Sequence, residues 1–340
     1  MKGMVFTMIT YMLIAFLISL VVVNVIRWKA YGESTKTIIR SDELAYLAKS
    51  ISADLKRETE ILGKRNMAFL INHIIQTGEP INSTEQVFPE LIINGSVNGL
   101  HLNGTEGNTI LDWIEKIKNH VKEIGFVLEV GDSGSSDDFN FVSVEISPYD
   151  SWNFTLNVTI RNVTLRDKSG YPRIEGRLPR KSEWIIVSIL DLEDPYWPLN
   201  TYGRITRTIK NCNFTPYTIH GQDNATILNE CINLEYYHSS KEGPCLFERL
   251  EMSRDRHSYY ENQAAKLRNI SQNEVVIGLE TWVNVEELRE AGLDELIIEN
   301  QTTIDYLYFE GINPGLSIEG APQWFRLNET QAEKYGLEIE

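Results

Sequence analysis

The longest apolar stretch of the chain runs from Met4 to Ile26 and contains no formally charged residue. As a helix rising about 1.5 Å per residue, it covers the hydrocarbon core of a bilayer, which is about 30 Å thick. Arg27-Trp28-Lys29 follows at once, without the small-residue cleavage site of a secretory signal peptide. The pattern therefore predicts a retained transmembrane helix over residues 4–26, with residues 1–3 as a leader or cytoplasmic stub.

A second apolar pattern predicts an amphipathic stalk helix over residues 41–77. Ser41 is a good N-cap, and the Gly78-Glu79-Pro80 sequence ends the pattern. The apolar positions recur at steps of three and four, beginning with Leu44, Leu47, Ile51 and Leu55. We expect Gly32 to separate the stalk from the transmembrane helix and Gly63 to bend the stalk.

Residues 78–194 are predicted to form an α+β domain. Residues 78–106 have the character of a polar loop, and Asn108-Thr109 begins a second helix that Gly125 ends. The apolar period then changes from 3.6 to 2, which predicts strands at 126–130, 139–146, 152–165 and 184–190. A parity slip after Ile160 indicates a bulge. The result is a four-stranded antiparallel sheet with helices on one face, and residues 168–181 form a basic arm between the last two strands.

Residues 195–340 are predicted to form a second α+β domain with less regular patterns. We expect helices at 244–269, at 285–291 and after Asn328, and strands at 275–283 and 302–309. Cys212, Cys231 and Cys245 all lie in this part of the chain. In an oxidising environment two of them are expected to pair, but the spacing does not choose among the three pairings. A zinc site is the alternative, although C-x2-C spacing is absent.

The formal charge is −16 overall and −18 beyond residue 27, because Lys2 and Arg27 contribute two positive charges. A body this acidic repels nucleic acid and anionic headgroups, so nucleic acid is excluded as a partner. The charges that flank the transmembrane helix favour a cytoplasmic body, since Arg27, Lys29 and Lys36 follow it. The sequons favour the opposite orientation.

Asn-x-Ser/Thr occurs at 11 of the 26 asparagines, where about three would be expected by chance. The predicted glycosylation sites are Asn82, Asn94, Asn103, Asn153, Asn157, Asn162, Asn213, Asn224, Asn269, Asn300 and Asn328. Sequons are used only on the extracytoplasmic side. Asn153 and Asn157 also fall on the polar face of the clearest predicted strand, where a glycan can attach. We therefore expect the body to be extracellular and glycosylated.

Lys2-Gly3, directly before the apolar core, resembles the class III signal of archaeal pilins and archaellins, a type IV prepilin-like leader that is cut after the glycine. The resemblance implies processing between Gly3 and Met4. Met8 departs from the bacterial pattern, which has Glu at this fifth mature position. Longer segments resemble archaeal envelope proteins with pilin-like leaders: residues 54–75, 191–212, 278–288, 304–309 and 324–336. This family implies a minor pilin or pseudopilin and carries over no catalytic residues.

Candidate chemistry is sparse, and no cofactor is predicted. HExxH, G-x-S-x-G, P-loop and dinucleotide motifs are absent. The three cysteines lie near His220 and His238, so a thiol–imidazole pair is the alternative to a disulfide with surface histidines, which is favoured. Asp191, Glu193 and Asp194 are read as a solvated turn rather than a hydrolytic or cation site. Trp152, Trp184 and Trp197 are read as core rather than as a sugar-stacking surface.

These observations predict a non-enzymatic, single-pass surface protein of pilin-like type with structural or adhesive function. Its partners are the lipid bilayer, through residues 4–26, and other pilin-like subunits. The alternative is an anchored ectodomain that binds a ligand or hydrolyses an envelope polymer, which a deep pocket of convergent acids and aromatics would favour.

Overall fold

Helix α1 runs without interruption from Lys2 to Thr77. The transmembrane and stalk helices predicted separately are thus one helix, and Gly32 does not divide it, contrary to the expectation from the sequence. A glycine inside a helix costs only about 1 kcal/mol relative to alanine. A helix of 76 residues absorbs that cost, because the hydrogen-bond ladder continues on both sides.

The structure, a computed structural model, describes residues 2–131, 140–212, 224–311 and 314–340, and only the backbone of residues 2–9, 30, 32–34 and 224–227. The chain forms two compact units. The first consists of residues 1–55, 115–141 and 160–180, and the second of residues 56–114, 142–159 and 181–340. Residues 195–340, predicted as a separate domain, all lie in the second unit together with parts of 78–194.

Nine further α-helices follow α1 in the described residues. They are α2 (Thr84–Asn94), α3 (Ile110–Glu123), α4 (Tyr196–Asn200), α5 (Asn224–Asn233), α6 (Leu246–Glu251), α7 (His257–Arg268), α8 (Val285–Glu290), α9 (Asp305–Glu310) and α10 (Glu329–Tyr335). Two single 3-10 turns lie at Gln272–Glu274 and Asp294–Leu296. Several ends carry the predicted caps. Thr109 Oγ1 accepts from the Asp112 N–H at 3.1 Å at the start of α3, and Asn328 Oδ1 accepts from the Gln331 N–H at 2.9 Å at the start of α10.

The described residues also contain eleven strands. They are β1 (Ser96–Val97), β2 (Leu100–His101), β3 (Phe126–Val130), β4 (Val142–Asp150), β5 (Asn153–Asp167), β6 (Arg173–Leu178), β7 (Ile185–Ser188), β8 (His238–Ser240), β9 (Gly278–Glu280), β10 (Leu316–Ser317) and β11 (Arg326–Leu327). β1–β2, β8–β9 and β10–β11 are two-stranded antiparallel pairs. The mixed helix and sheet content agrees with the prediction.

The main sheet has five strands rather than four, and β5 pairs with each of the others. β3, β6 and β7 run antiparallel to β5. The additional strand is β6, which lies inside the stretch predicted as a basic arm. Its register against β5 shifts between Ile160 and Val163, so the predicted bulge is confirmed. Asn162 lies there with φ of 54°, a left-handed conformation that asparagine tolerates better than most residues.

Other predictions in the less regular parts of the sequence were wrong. Residues 78–106 contain helix α2 and the β1–β2 hairpin instead of a polar loop. The helix predicted at 244–269 is divided into α6 and α7, because Met252 takes a left-handed φ of 49° after α6. The strand predicted at 302–309 contains helix α9, and the one at 275–283 is reduced to the three residues of β9. The flexible turn predicted at 132–138 lies outside the described residues.

Both units have apolar cores that include part of α1. In the first unit α1 buries Leu44, Ala48, Ile51 and Leu55. In the second unit α1 approaches the sheet closely at Gly63, where an added Cβ would lie 2.6 Å from Leu156 Cδ1 and 3.0 Å from Val187 Cγ2. Gly63 therefore permits close packing, and it lies within an uninterrupted helix.

Candidate functional site

The first candidate site is the N-terminal part of α1. Residues Thr10–Lys29 have a mean hydropathy of 2.1, and none of them is buried against the protein. Among the described residues, α1 is the one helix that is long and apolar enough to cross a membrane. Gly3 and Met4, the predicted processing residues, lie in the first turns of the same helix. The apolar character that predicted a transmembrane segment is therefore matched by exposure to the surroundings.

Beyond the apolar segment, α1 has two different faces. Leu44, Ala48, Ile51 and Leu55 are buried, and at 100° per residue they cluster on one side of the helix. Apolar and aromatic side chains on the opposite side remain exposed: Trp28 (82%), Tyr31 (73%), Ile39 (53%) and Tyr46 (77%). Thr35 lies on the same side. We call these five residues the outer stripe of α1.

Arg40 fixes the inner face of α1 within the first unit. Its guanidinium is 3.0 Å from Asp167 and 2.8 Å from Glu43, and it lies 4.6 Å from the centre of the Phe126 ring. Hydrogen bonds from Ser169 and the charge of Arg40 hold the pKa of Asp167 below its usual range. The outer stripe therefore stays directed away from the sheet of its own unit.

The cysteine window contains a disulfide between Cys212 and Cys231, with the two Cα atoms 5.6 Å apart. Cys245 is a buried free cysteine, and burial raises the pKa of its thiol. The ligand atoms of His238, Cys212 and Cys231 lie within 4.8 Å of one another, so the residues of the zinc alternative do come together. His238, expected at the surface, is buried, and burial and the charge of Lys334 lower its pKa to about 3. With both sulfurs in a disulfide, however, this group lacks the thiolates that zinc requires. His220 lies outside the described residues.

The predicted acidic turn does not form a convergent site. Asp191 and Glu193 are exposed, whereas Asp194 is fully buried. Asp194 belongs to an internal ion network in which Arg249 Nη1 donates to Asp194 Oδ2 at 2.6 Å and to Asp305 Oδ2 at 2.8 Å. Tyr237 donates to Asp194 Oδ2 at 2.9 Å. Burial raises the pKa of Asp305 to about 6, although Arg249 acts in the opposite direction. This network is closed to substrate and has a structural role.

The three tryptophans also lie in different surroundings. Trp197 is fully buried and packs edge-to-face on Phe309 at 5.6 Å, as predicted for a core residue. Trp152 is half-buried, and Trp184 is 37% exposed. Trp184 lines a groove of about 530 Å³ together with Glu85, Glu145, Gln263 and five further residues. Glu145 accepts from Asn157 Nδ2 at 2.9 Å, and Glu85 accepts from Tyr259 and Gln263.

The sequon asparagines differ in accessibility. Five are exposed: Asn82, Asn103, Asn162, Asn269 and Asn300. Asn94, Asn153 and Asn328 are half-buried, and the side chains of Asn213 and Asn224 lie outside the described part of the chain. Asn157 is only 8% exposed, and both ends of its amide are bonded, to Glu145 and to Ser182 at 2.9 Å each. The alternation of β5 does not show this, because a polar face can be covered by another element.

Comparison of the chain with protein-family models, with curated proteins and with solved structures found no match.

Proposed function

We propose that the chain is a single-pass surface protein of pilin-like type, with its body outside the cell and its N-terminal helix packed against similar helices. The observation that carries this proposal is the continuity of α1 from the apolar segment into the body. Its two faces have separate partners: the inner face packs in the first unit, and the outer stripe is left for another subunit. This division suits an assembly built from parallel helices.

The part of the outer stripe that lies beyond the bilayer supports the proposal most directly. Trp28 and Tyr31 fit the aromatic belt that is common at membrane interfaces. Ile39 and Tyr46, however, follow Lys29 by 10 and 17 residues, which is about 15 and 25 Å along the helix. Their exposed side chains are outside the reach of the hydrocarbon core, and a neighbouring helix would bury them.

Mass spectrometry of the N-terminal peptide and of glycopeptides from native membranes tests the proposal. We expect a start at Met4 and glycans on the exposed asparagines, for example Asn103 and Asn269, with Asn157 unmodified because its amide is buried and bonded. A start at Met1 would overturn the pilin-like processing. The absence of every glycan would instead remove the argument for an exterior body, and a glycan on Asn157 would contradict the described packing of β5.

The groove beside Trp184 favours a second candidate function, an anchored ectodomain that binds a ligand. Its volume lies within the range of about 300–1,000 Å³ that is usual for ligand sites, and an exposed indole beside carboxylates and amides suits a sugar ring. Titration with envelope saccharides would test this. Binding should be lost in Trp184→Ala and retained in the neighbouring Ile186→Ala, and equal affinities would exclude the groove.

A further inference from the structure

The first unit contains a basic surface in an otherwise acidic protein. Residues 160–180 carry six Lys or Arg and two acidic residues, whereas the whole chain has a net charge of −16. Two of these cations are ion-paired: Arg166 pairs with Glu129 at 2.6 Å, and Arg173 pairs with Glu175 at 3.3 Å. Arg177 and Arg180 are exposed, and no carboxylate among the described residues forms an ion pair with either. Arg177 Nε donates to the Arg180 carbonyl at 3.3 Å, so the two cations lie beside each other, and within the described part of the chain neither is neutralised by a carboxylate.

These arginines line an apolar pocket of about 310 Å³. Seven of the eleven lining residues have apolar side chains: Ala48, Ile51, Leu128, Val163, Leu165, Ile174 and Leu178. The volume is at the lower end of the range for ligand sites, about 300–1,000 Å³. It can hold on the order of ten groups the size of a water molecule. Glu175 also lines the pocket, but its carboxylate is paired with Arg173. The pocket thus combines an apolar interior with a rim of net positive charge.

We propose that this pocket binds a lipid-derived anion with a single hydrocarbon chain. The hydrocarbon chain of the ligand packs between α1 and strands β3, β5 and β6. Its phosphate or carboxylate head pairs with Arg177 and Arg180, because guanidinium groups bind such anions well. The charge complementarity selects an anion, and the apolar interior selects a chain over a free phosphate. Ala48 follows Lys29 by 19 residues, about 28 Å along α1, so the ligand leaves the bilayer plane to bind. The assignment is independent of filament assembly.

Photolabelling of the full chain in nanodiscs of zwitterionic phosphatidylcholine tests the proposal. The probe is an alkyl phosphate with a diazirine near the chain end, and adducts are located by peptide mass spectrometry. We expect labelling in the α1 peptide around Ala48–Ile51 and in residues 163–178. Dodecyl phosphate should compete, whereas inorganic phosphate and dodecyltrimethylammonium should not. Competition by inorganic phosphate would mean an anion site without a chain, and labelling confined to the transmembrane segment would overturn the proposal.

Two double variants distinguish the effect of the pocket arginines from the effect of the overall positive charge of residues 160–180. Arg177→Gln/Arg180→Gln should lower labelling about tenfold, as expected for two exposed charge contacts. Arg161→Gln/Lys168→Gln removes the same charge from exposed residues outside the pocket and should leave labelling within about twofold. Ala48→Phe fills the pocket and should block labelling even though both arginines remain. Equal losses in the two double variants would reduce the site to non-specific attraction and overturn it.

Discussion

At the scale of single residues, the buried Arg249 network is the strongest local feature of the second unit. The Arg249 side chain is fully buried between Asp194 and Asp305, and its Nη2 donates to the Leu279 carbonyl at 2.6 Å. Burial opposes its charge, but the two carboxylates more than offset burial and raise the pKa of the guanidinium. The sequence did not indicate this network, because each of the two carboxylates lies more than 50 residues from Arg249 in the chain.

Removing the cation should leave two buried carboxylates without compensation. We expect Arg249→Met to lower the free energy of unfolding by about 3–5 kcal/mol, measured by urea unfolding of the detergent-solubilised chain. Arg254→Met is the matched control, since Arg254 is partly exposed in its pair with Glu310 at 2.8 Å and should cost about 1 kcal/mol or less. Similar losses in both variants would mean that burial does not set the strength of the network.

His257 should make the stability of the second unit depend on pH. Its Nδ1 is 2.8 Å from the fully buried Glu248, and its Nε2 is 2.9 Å from the Lys241 carbonyl. Burial lowers the pKa of His257, but the hydrogen bond and charge of Glu248, the Lys241 carbonyl and the charge of Glu261 together raise it by more, so the folded pKa lies above 6.5. A raised pKa means that the folded state binds the proton more tightly. Its stabilisation is fully present below the unfolded pKa and is lost as pH rises through the folded pKa.

We therefore expect His257→Gln to lower the thermal midpoint most below about pH 6 and least above about pH 8. Thermal unfolding of both proteins across this range measures the difference. In a Glu248→Gln/Glu261→Gln background the pH dependence of the His257→Gln effect should largely disappear, since neither carboxylate partner of the imidazole carries a charge. A constant difference at all pH values would contradict a protonated His257.

At the scale of elements, helices and strands were predicted correctly where the apolar pattern is regular, and incorrectly where a segment is buried on all sides. The limits of α3, α10 and β3 follow from caps, glycine stops and a clear period, which act locally. Residues 302–306 are instead all buried, polar and apolar side chains alike, so the sequence has no exposed face whose period would separate helix from strand. Asp305 starts α9 because its carboxylate accepts from the Tyr306 N–H at 2.9 Å and is fixed by Arg249. Only the tertiary structure supplies that partner.

The contact between α1 and the sheet at Gly63 gives a prediction with a change of sign. Gly63→Ala gains helix propensity of about 1 kcal/mol, but its Cβ would meet the fully buried Leu156 at 2.6 Å. We expect a net loss of up to about 2 kcal/mol, because overpacking costs about 1–3 kcal/mol. In a Leu156→Ala/Val187→Ala background both close contacts are absent, and the same substitution should stabilise. Thermal unfolding of the four proteins forms the cycle, and additive effects would show that the close approach is not limiting.

At the scale of the whole molecule, the sequence predicted the types of secondary structure better than the contacts between them. Apolar patterning indicated the N-terminal helix and the mixed α and β body, and the three clustered cysteines indicated a disulfide. The pairing of Cys212 with Cys231, the fifth strand β6 and the passage of α1 through Gly32 depend on contacts distant in sequence. The same holds for the pocket beside Arg177, which brings α1 together with three strands. A local sequence pattern does not predict contacts between residues that are far apart in the chain.

The function proposed for the whole molecule depends on which face of α1 meets a neighbour, and two threonines distinguish the faces. Thr35 lies on the outer stripe, and Thr37, two residues later, lies on the opposite side of the helix. Both are exposed, and the natural cysteines begin only at Cys212.

Under mild oxidation in native membranes, Thr35→Cys should form cross-linked dimers or mixed adducts several-fold faster than Thr37→Cys, because helices that pack through the stripe hold their outer faces together. Electrophoresis without reductant measures both rates. Equal rates would indicate random collision of anchored monomers and would contradict assembly through the outer stripe, whereas faster reaction of Thr37→Cys would place the contact on the other face.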